Sequence, residues 1–297
     1  MPTVDRPDAV GRPADASGNP TARRIMLGAR LRRLREAAEI SRAEAGFAIR
    51  GSESKISRLE LGRVSFKVRD VTDLLTMYGV TDPEKRQAFL EMVARSNEPG
   101  WWHRYTDLVA DWFQDYLGLE ESASRIQEWE QQLVPGLLQT EDYARAITSH
   151  GWSALPSQSV QRQVAVRMRR QELLDRPNPP KLWAVIDESV LHRPIGGRQV
   201  LLAQIERLLE LTKRPHITVQ VLPYQFSGYA AEGSFTTLRF AEPDLPDVVY
   251  IEHLSGALYL DKRSDSELYG RVFDRLTVDA HTPDHTRQVL TKAHTEI

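Results

Sequence analysis

The first hundred residues carry apolar side chains at helical spacing. Leu27, Leu31 and Leu34 recur three or four residues apart, which predicts an amphipathic helix. Ser41 is followed three residues later by Glu44, the sequence pattern of a capping box. We therefore expect a second, short helix to begin directly after Ser41.

The same region predicts three further helices. Gly51 lies at the break after the second helix, where we expect it to take the positive φ of a tight turn. Ser52 is a suitable N-cap for a third helix with Ile56 and Leu59 facing inward. Pro83 is a favourable first residue for a fifth helix. The inward face predicted for the fourth helix is Val68, Val71, Leu74, Leu75 and Tyr78.

After residues 97–100, which combine Pro and Gly in a turn signal, the pattern changes. Runs rich in β-branched and aromatic residues begin near residues 181, 216, 234, 247 and 256 and predict strands. Helices are expected near 159–174 and 197–213, with two more after Ser264. The predicted fold class is α+β, in which an N-terminal all-α domain precedes a larger mixed domain. The expected divisions are a disordered tail over 1–22, a helical domain over 23–96 and an α+β domain over 101–297.

Composition restricts the chemistry without changing this picture. The 297 residues contain no cysteine, which excludes disulfides, Cys-ligated zinc and thiol nucleophiles. We find neither the apolar core of a signal peptide nor a run of eighteen apolar residues, so the sequence predicts a cytoplasmic protein without a membrane span.

Charge is distributed unevenly along the chain. Residues 21–70 have a net charge of +7 and residues 71–297 a net charge of -8. Basic segments beside acidic ones are typical of a module that binds a polyanion, because Lys and Arg neutralise phosphates. A solvated charged helix would show the same asymmetry, so charge alone leaves both interpretations open.

Two short helices joined by a tight turn, on a basic background, predict a helix-turn-helix whose third helix enters the DNA major groove. Arg58 is suited to a bidentate contact with guanine, and Glu53 to accepting a hydrogen bond from cytosine. Basic residues around this helix would contact phosphates and fix its register. The predicted base contacts are Glu53, Ser54, Lys55, Ser57 and Arg58; the predicted backbone contacts are Arg42, Ser52, Arg63, Lys67 and Arg69.

The segment LGARLRRLREAAEISRAEAGFAIRGSESKISRLELGR resembles the Cro/lambda-repressor-like (XRE) helix-turn-helix. It departs from that pattern because the turn glycine, Gly51, is displaced by one position. VPGLLQTEDYARA, RMRRQELL and YIEHLSGALYL resemble the C-terminal domain of unknown function of WhiJ-like actinobacterial regulators. This second resemblance implies a small partner protein encoded nearby, and for some such regulators an antitoxin-like role.

Other candidate sites have simpler structural interpretations. The tryptophans could line an aromatic cage, but aromatic residues at helical spacing are more often core. His281 and His285 have metal-ligand spacing, although Pro283 between them favours a helix start. The loop VPGLLQT could bind a ligand, or could simply turn the chain before Thr140 caps a helix.

Catalysis has little support in the sequence. Common hydrolase, phosphate-loop and metalloprotease motifs are missing. Asp187 and Glu188 are the best carboxylate pair, but neighbours in a strand point to opposite faces. Glu232 and Glu252 lie on later segments. We therefore expect neither an enzyme, nor a cofactor, nor a bound metal.

The function predicted from sequence is a sequence-specific transcription regulator that binds double-stranded DNA. A single helix-turn-helix covers only a half-site, so a homodimer is expected. The larger domain would mediate dimerisation and the response to a partner or ligand. The alternative is an antitoxin-like protein that neutralises a small neighbouring protein and binds DNA for autoregulation.

Overall fold

A computed structural model of the protein describes residues 20–62, 64–149, 156–225, 231–242 and 245–297. The fold class is confirmed: an N-terminal helical region precedes a mixed α+β domain. Residues 1–19 of the predicted tail lie outside the described residues, whereas 20–22 form the start of the first helix. The helices of the N-terminal region are α1 (Pro20–Ala37), α2 (Arg42–Ala48), α3 (Glu53–Glu60), α4 (Val68–Met77) and α5 (Pro83–Ser96).

Polar caps begin three of these helices where they were predicted. The Ser41 hydroxyl accepts a hydrogen bond from the Glu44 N–H, and the Glu44 carboxylate accepts one from the Ser41 N–H, completing the capping box. Ser52 caps α3, and Asp82 caps α5 directly before Pro83. Local sequence therefore determines where these helices start.

The core of the helical region contains most of the residues predicted to face inward. Val68 is the exception, because it is the first residue of α4 and is 54% exposed. The fully buried members include Leu27, Leu31, Ile49, Ile56, Leu74 and Leu75.

The turn between α2 and α3 differs from the prediction. Arg50, not Gly51, takes the left-handed conformation, with φ of 53°. The Gly51 N–H donates to the Gly46 carbonyl at 2.8 Å and closes the turn. At Gly46, a Cβ would lie 2.9 Å from the Ser52 carbonyl carbon. Close approach of α2 to the start of α3 thus requires glycine at position 46.

The larger domain contains a six-stranded sheet among the described residues, in the order β3-β2-β1-β4-β5-β6. β1, β2 and β3 are parallel, and β4, β5 and β6 continue the sheet as antiparallel strands. Five strands match the predicted runs, whereas β1 was not predicted. The strands are β1 (Arg125–Glu130), β2 (Lys181–Asp187), β3 (Ile217–Leu222), β4 (Phe235–Arg239), β5 (Val248–His253) and β6 (Gly256–Leu260).

Helices cover both faces of this sheet. One face, which includes Ile126 and Tyr250, forms the main core with α6, α9 and α11. The opposite face, which includes Trp129 and Val249, packs against Phe273 of α10. The helices of this domain are α6 (Asp111–Ser122), α7 (Glu141–Ser149), α8 (Ser157–Gln171), α9 (Arg198–Leu211), α10 (Arg263–Asp279) and α11 (Pro283–Glu296).

The two regions contact each other through α1 and α6. Ile25 packs against the main core of the larger domain, and Arg24 lies 3.6 Å from the Asp115 carboxylate. Within the described ranges, none of the helices is long and apolar enough to cross a membrane.

Candidate nucleic-acid interface

The outer face of α3 presents polar side chains beside the α2–α3 turn. Ile56 and Leu59 are buried, which orients the opposite side of the helix outward. Glu53, Ser54 and Arg58 are exposed, as predicted for residues that contact bases. Ser57 is half-buried.

Lys55 is committed to a contact within the fold. Its ammonium donates to the Asp70 carboxylate at 2.6 Å, joining α3 to α4. Asp70 is only 2% exposed. Burial alone would raise the pKa of Asp70, but the hydrogen bond and charge of Lys55, assisted by Arg69, hold that pKa below its usual value. Lys55 therefore contacts DNA only if it gives up a strong partner.

Arg42 also has a structural partner. The buried Glu60 carboxylate accepts hydrogen bonds from Arg35 of α1 and from Arg42 at the start of α2, the latter at 3.1 Å. This triad ties α1, α2 and the end of α3 together. The Arg42 side chain is still 37% exposed, so its exposed part is available for the predicted phosphate contact while the contact with Glu60 is kept.

The other predicted backbone contacts surround α3. Ser52 is exposed, and its hydroxyl accepts the Lys55 N–H. Lys67 is exposed directly before α4, and Arg69 is exposed while contacting Asp70 at 3.3 Å. Arg63 lies outside the described residues. Cationic side chains are thus available beside the exposed face of α3.

Phe47 is a surface residue that the sequence prediction missed. It lies on α2 and is 86% exposed. Its exposure could have been predicted from the helical repeat. Phe47 is two residues away from each of the buried positions Ala45 and Ile49, so it points to the opposite side of the helix. An exposed aromatic ring beside α3 is a candidate for apolar contact with a thymine methyl group.

The remaining sequence candidates have structural roles. Thr140 caps α7 by accepting a hydrogen bond from the Tyr143 N–H at 3.3 Å, so the end of VPGLLQT has the capping role predicted for it. The rings of His281 and His285 lie 4.4 Å apart, and Pro283 is the first residue of α11. Among the described residues, no group of three His, Cys, Asp or Glu side chains is arranged to hold a metal.

The suggested carboxylate pair and the tryptophans are also accounted for. Asp187 accepts the Ser189 N–H, and Glu188 accepts the Tyr224 N–H, so both cap backbone groups. Trp102 and Trp129 are buried in cores, as predicted. The other tryptophans of this group are Trp101 and Trp112, which pack at core edges, and Trp152, which lies outside the described residues.

The arrangement of α2, the turn and α3 defines a helix-turn-helix domain, the class of domain that binds DNA in regulators. Residues 26–89 match a family described as a helix-turn-helix domain. Residues 113–292 match the domain of unknown function DUF5753, and because this match covers more than half of the chain, the protein belongs to that family. None of the curated proteins matches the chain, and neither does any solved structure.

Proposed function

We propose that this protein is a sequence-specific transcription regulator of the XRE type that binds double-stranded DNA as a homodimer. The DUF5753 domain would mediate dimerisation and the response to a partner or ligand, without enzymatic activity. The observation that carries this proposal is the exposed polar face of α3, positioned by the buried residues Ile56 and Leu59.

Arg58 is the strongest candidate for base contact on that face. It is exposed near the end of α3 and forms no salt bridge within the described part of the chain. Its guanidinium is suited to a bidentate contact with guanine, worth about 1–3 kcal/mol of discrimination. Glu53 and Ser54 are exposed at the N-terminal end of α3, from which recognition helices usually contact bases.

Two matched variants test this assignment. Arg58→Ala should weaken binding to the cognate operator by about 1–3 kcal/mol and change binding to random DNA much less. Lys67→Ala should weaken binding to both DNAs alike and reduce the salt dependence by about one released ion. Fluorescence anisotropy at several salt concentrations measures both effects. Equal losses on the two DNAs for Arg58→Ala would remove this residue from base contact.

The antitoxin-like alternative is supported by the resemblance to WhiJ-like regulators and by exposed apolar residues on the β5–β6 hairpin. Leu254 is 80% exposed and Leu258, on the edge strand β6, is 51% exposed. Exposed apolar groups on a sheet edge are suited to a protein partner. Co-purification with the product of a neighbouring gene, and loss of that product's toxicity on co-expression, would favour the alternative over regulation alone.

A further inference from the structure

The DUF5753 domain contains a cleft of about 530 Å³ on the main-core face of its sheet. The sheet forms its floor, and α6, α8 and the loop over 132–139 form its walls. This volume is within the range of about 300–1,000 Å³ typical of small-molecule sites. His253 and Leu254, at and just after the end of β5, line the cleft and are exposed to solvent.

Strand register collects carboxyl groups on the floor of this cleft. Glu128 and Glu130 are two residues apart in β1, so they share one face of the sheet. Glu128 pairs with Thr236 of β4, which pairs with Tyr250 of β5. Glu252 follows Tyr250 by two residues and therefore lies on the same face. All three carboxyl groups line the cleft, from Glu252 at its exposed mouth to Glu128 at its buried end.

The partners of the charged groups leave Glu128 unmatched. Arg170 donates to both oxygens of Glu120, at 2.7 Å and 2.9 Å, and these two charges neutralise each other. Arg167 donates to the Gln139 side chain at 2.9 Å. Glu128 is only 7% exposed, and within the part of the chain that the structure describes no hydrogen bond or ion pair reaches its carboxyl group. Its oxygens are not among the fully enclosed unpartnered atoms of the described residues, so the carboxyl group faces the cleft, where a ligand can supply the missing partner.

The local charge balance indicates the kind of ligand. Outside the Glu120–Arg170 pair, three carboxyl groups face the single guanidinium of Arg167. Burial raises the pKa of Glu128 well above its usual value, and raises that of Glu130 to about 7. Glu252 already accepts a hydrogen bond from the Tyr250 hydroxyl at 2.9 Å, and Ser234 supplies one to Glu130, so Glu128 is the member of the three without a donor. A cation with N–H donors would supply a donor to Glu128 and would favour the ionised forms of all three carboxyl groups.

Apolar side chains complete the site. Phe113 and Tyr116 of α6 line one wall, and their rings are stacked with centroids 5.5 Å apart. Leu133 and Leu254 also line the cleft. The site is therefore suited to a ligand with an apolar body and a cationic end.

We propose that this cleft binds a small organic cation bearing N–H donors, a primary amine or a guanidinium compound, with its charged end between Glu128, Glu130 and Glu252. The proposal deepens the ligand response of the proposed function. Binding of the cation does not depend on the proposed function. Only an effect of the bound cation on the affinity for DNA rests on that function.

Calorimetric titration of the full chain with tyramine, agmatine and spermidine tests the site directly. At least one of these amines should bind, whereas tetramethylammonium, which has the charge but no N–H donor, should not. Glu128→Gln should weaken amine binding about tenfold or more. Glu206→Gln, which makes the same change at an exposed position of α9 outside the cleft, should leave the affinity unchanged.

Thermal unfolding without ligand separates a binding role from a structural one. Removing an unmatched buried carboxyl group should leave the Tm of Glu128→Gln equal to or above that of the parent chain. Should that variant fail to fold, Glu130→Gln provides the same comparison. Absence of binding for all three amines, or equal affinity for the parent and the variant, would overturn the proposal. DNA binding by the parent chain is measured separately, so failure of the cleft and failure of the proposed function are distinguishable.

Discussion

Two glycines set the distance at which α1 crosses α3. At Gly28, a Cβ would lie 2.4 Å from the Leu59 carbonyl oxygen and 2.6 Å from that of Glu60. At Gly62, which has φ of +65°, a Cβ would lie 2.5 Å from the Ile25 nitrogen. The neighbouring atoms are backbone atoms, so no side-chain rotation would make room. Position and tilt of α3 therefore depend on these two glycines.

Gly28→Ala should destabilise the helical domain by about 2 kcal/mol, because the strain of overpacking exceeds the gain in helix propensity. Gly233→Ala is a suitable control, since a Cβ there meets no atom within 4 Å and φ is not positive. Urea unfolding of both variants measures the difference. Equal stability of Gly28→Ala and the parent chain would show that α1 and α3 separate without cost.

Residue-scale predictions from sequence succeeded where the cause was local. The cap at Ser41 depends on Glu44 three residues away, and both are visible in one short segment. The partner of Lys55 is Asp70, fifteen residues later and on another helix. Sequence placed Lys55 on the outer side of α3 but could not show that a buried carboxylate would hold its ammonium. The same limit applies to Arg42 and Glu60.

At the scale of elements, β1 shows why one strand of six was missed. The predicted strands are rich in β-branched and aromatic residues, whereas β1 reads RIQEWE and carries three charged side chains. It pairs with β2 on one side and β4 on the other, inside the sheet. A strand with this polarity is expected at an edge. The carboxyl groups of Glu128 and Glu130 made β1 hard to recognise as a strand, and the same two groups line the cleft.

The carboxyl groups of β1 make stability depend on pH. Burial raises the folded-state pKa of Glu130 to about 7, above an unfolded value of about 4.3. Between these values the folded state binds more protons, so the free energy of unfolding should fall by about 3–4 kcal/mol as pH rises through this window. The charged and titratable groups that line the same cleft are Glu128, Arg167, Arg170, Tyr116, Tyr250, Glu252 and His253.

Glu130→Gln should flatten this dependence, because glutamine cannot ionise. Urea unfolding of the parent chain and the variant at several pH values measures the two slopes. Glu206→Gln, on the surface of α9, should keep the slope of the parent chain. Identical slopes for Glu130→Gln and the parent would mean that this carboxyl group is not held in its neutral form by the fold.

At the scale of the whole molecule, α6 contacts both the cleft and the helix-turn-helix domain. Phe113 and Tyr116 line the cleft, and Asp115, between them, lies 3.6 Å from Arg24 of α1. The order of a helical domain and an α+β domain could be predicted from the change of pattern near residue 97. How the two pack together could not, because it depends on contacts such as Ile25 against the main core, which join distant segments.

This contact predicts coupling between the cleft and DNA. A ligand that moves α6 changes the position of α1, and α1 packs directly on α3. If an amine changes the affinity for DNA by some factor, DNA must change the affinity for the amine by the same factor. Couplings of this kind are typically about 5- to 150-fold. Titration of tyramine with and without operator DNA measures the factor, and its single charge keeps its own attraction to DNA weak.

Asp115→Asn tests whether the contact between α1 and α6 carries the coupling, without altering the amine-binding cleft. It removes the charge that faces Arg24 while leaving the floor of the cleft unchanged, so the variant should bind tyramine as the parent chain does but show a smaller coupling factor. An equal factor in the variant would place the link elsewhere along α1 and α6, with Ile25 as the next contact to alter. Tyramine affinity that is the same with and without DNA would instead mean that the cleft and α3 act independently, since a ligand without preference between two states shifts neither.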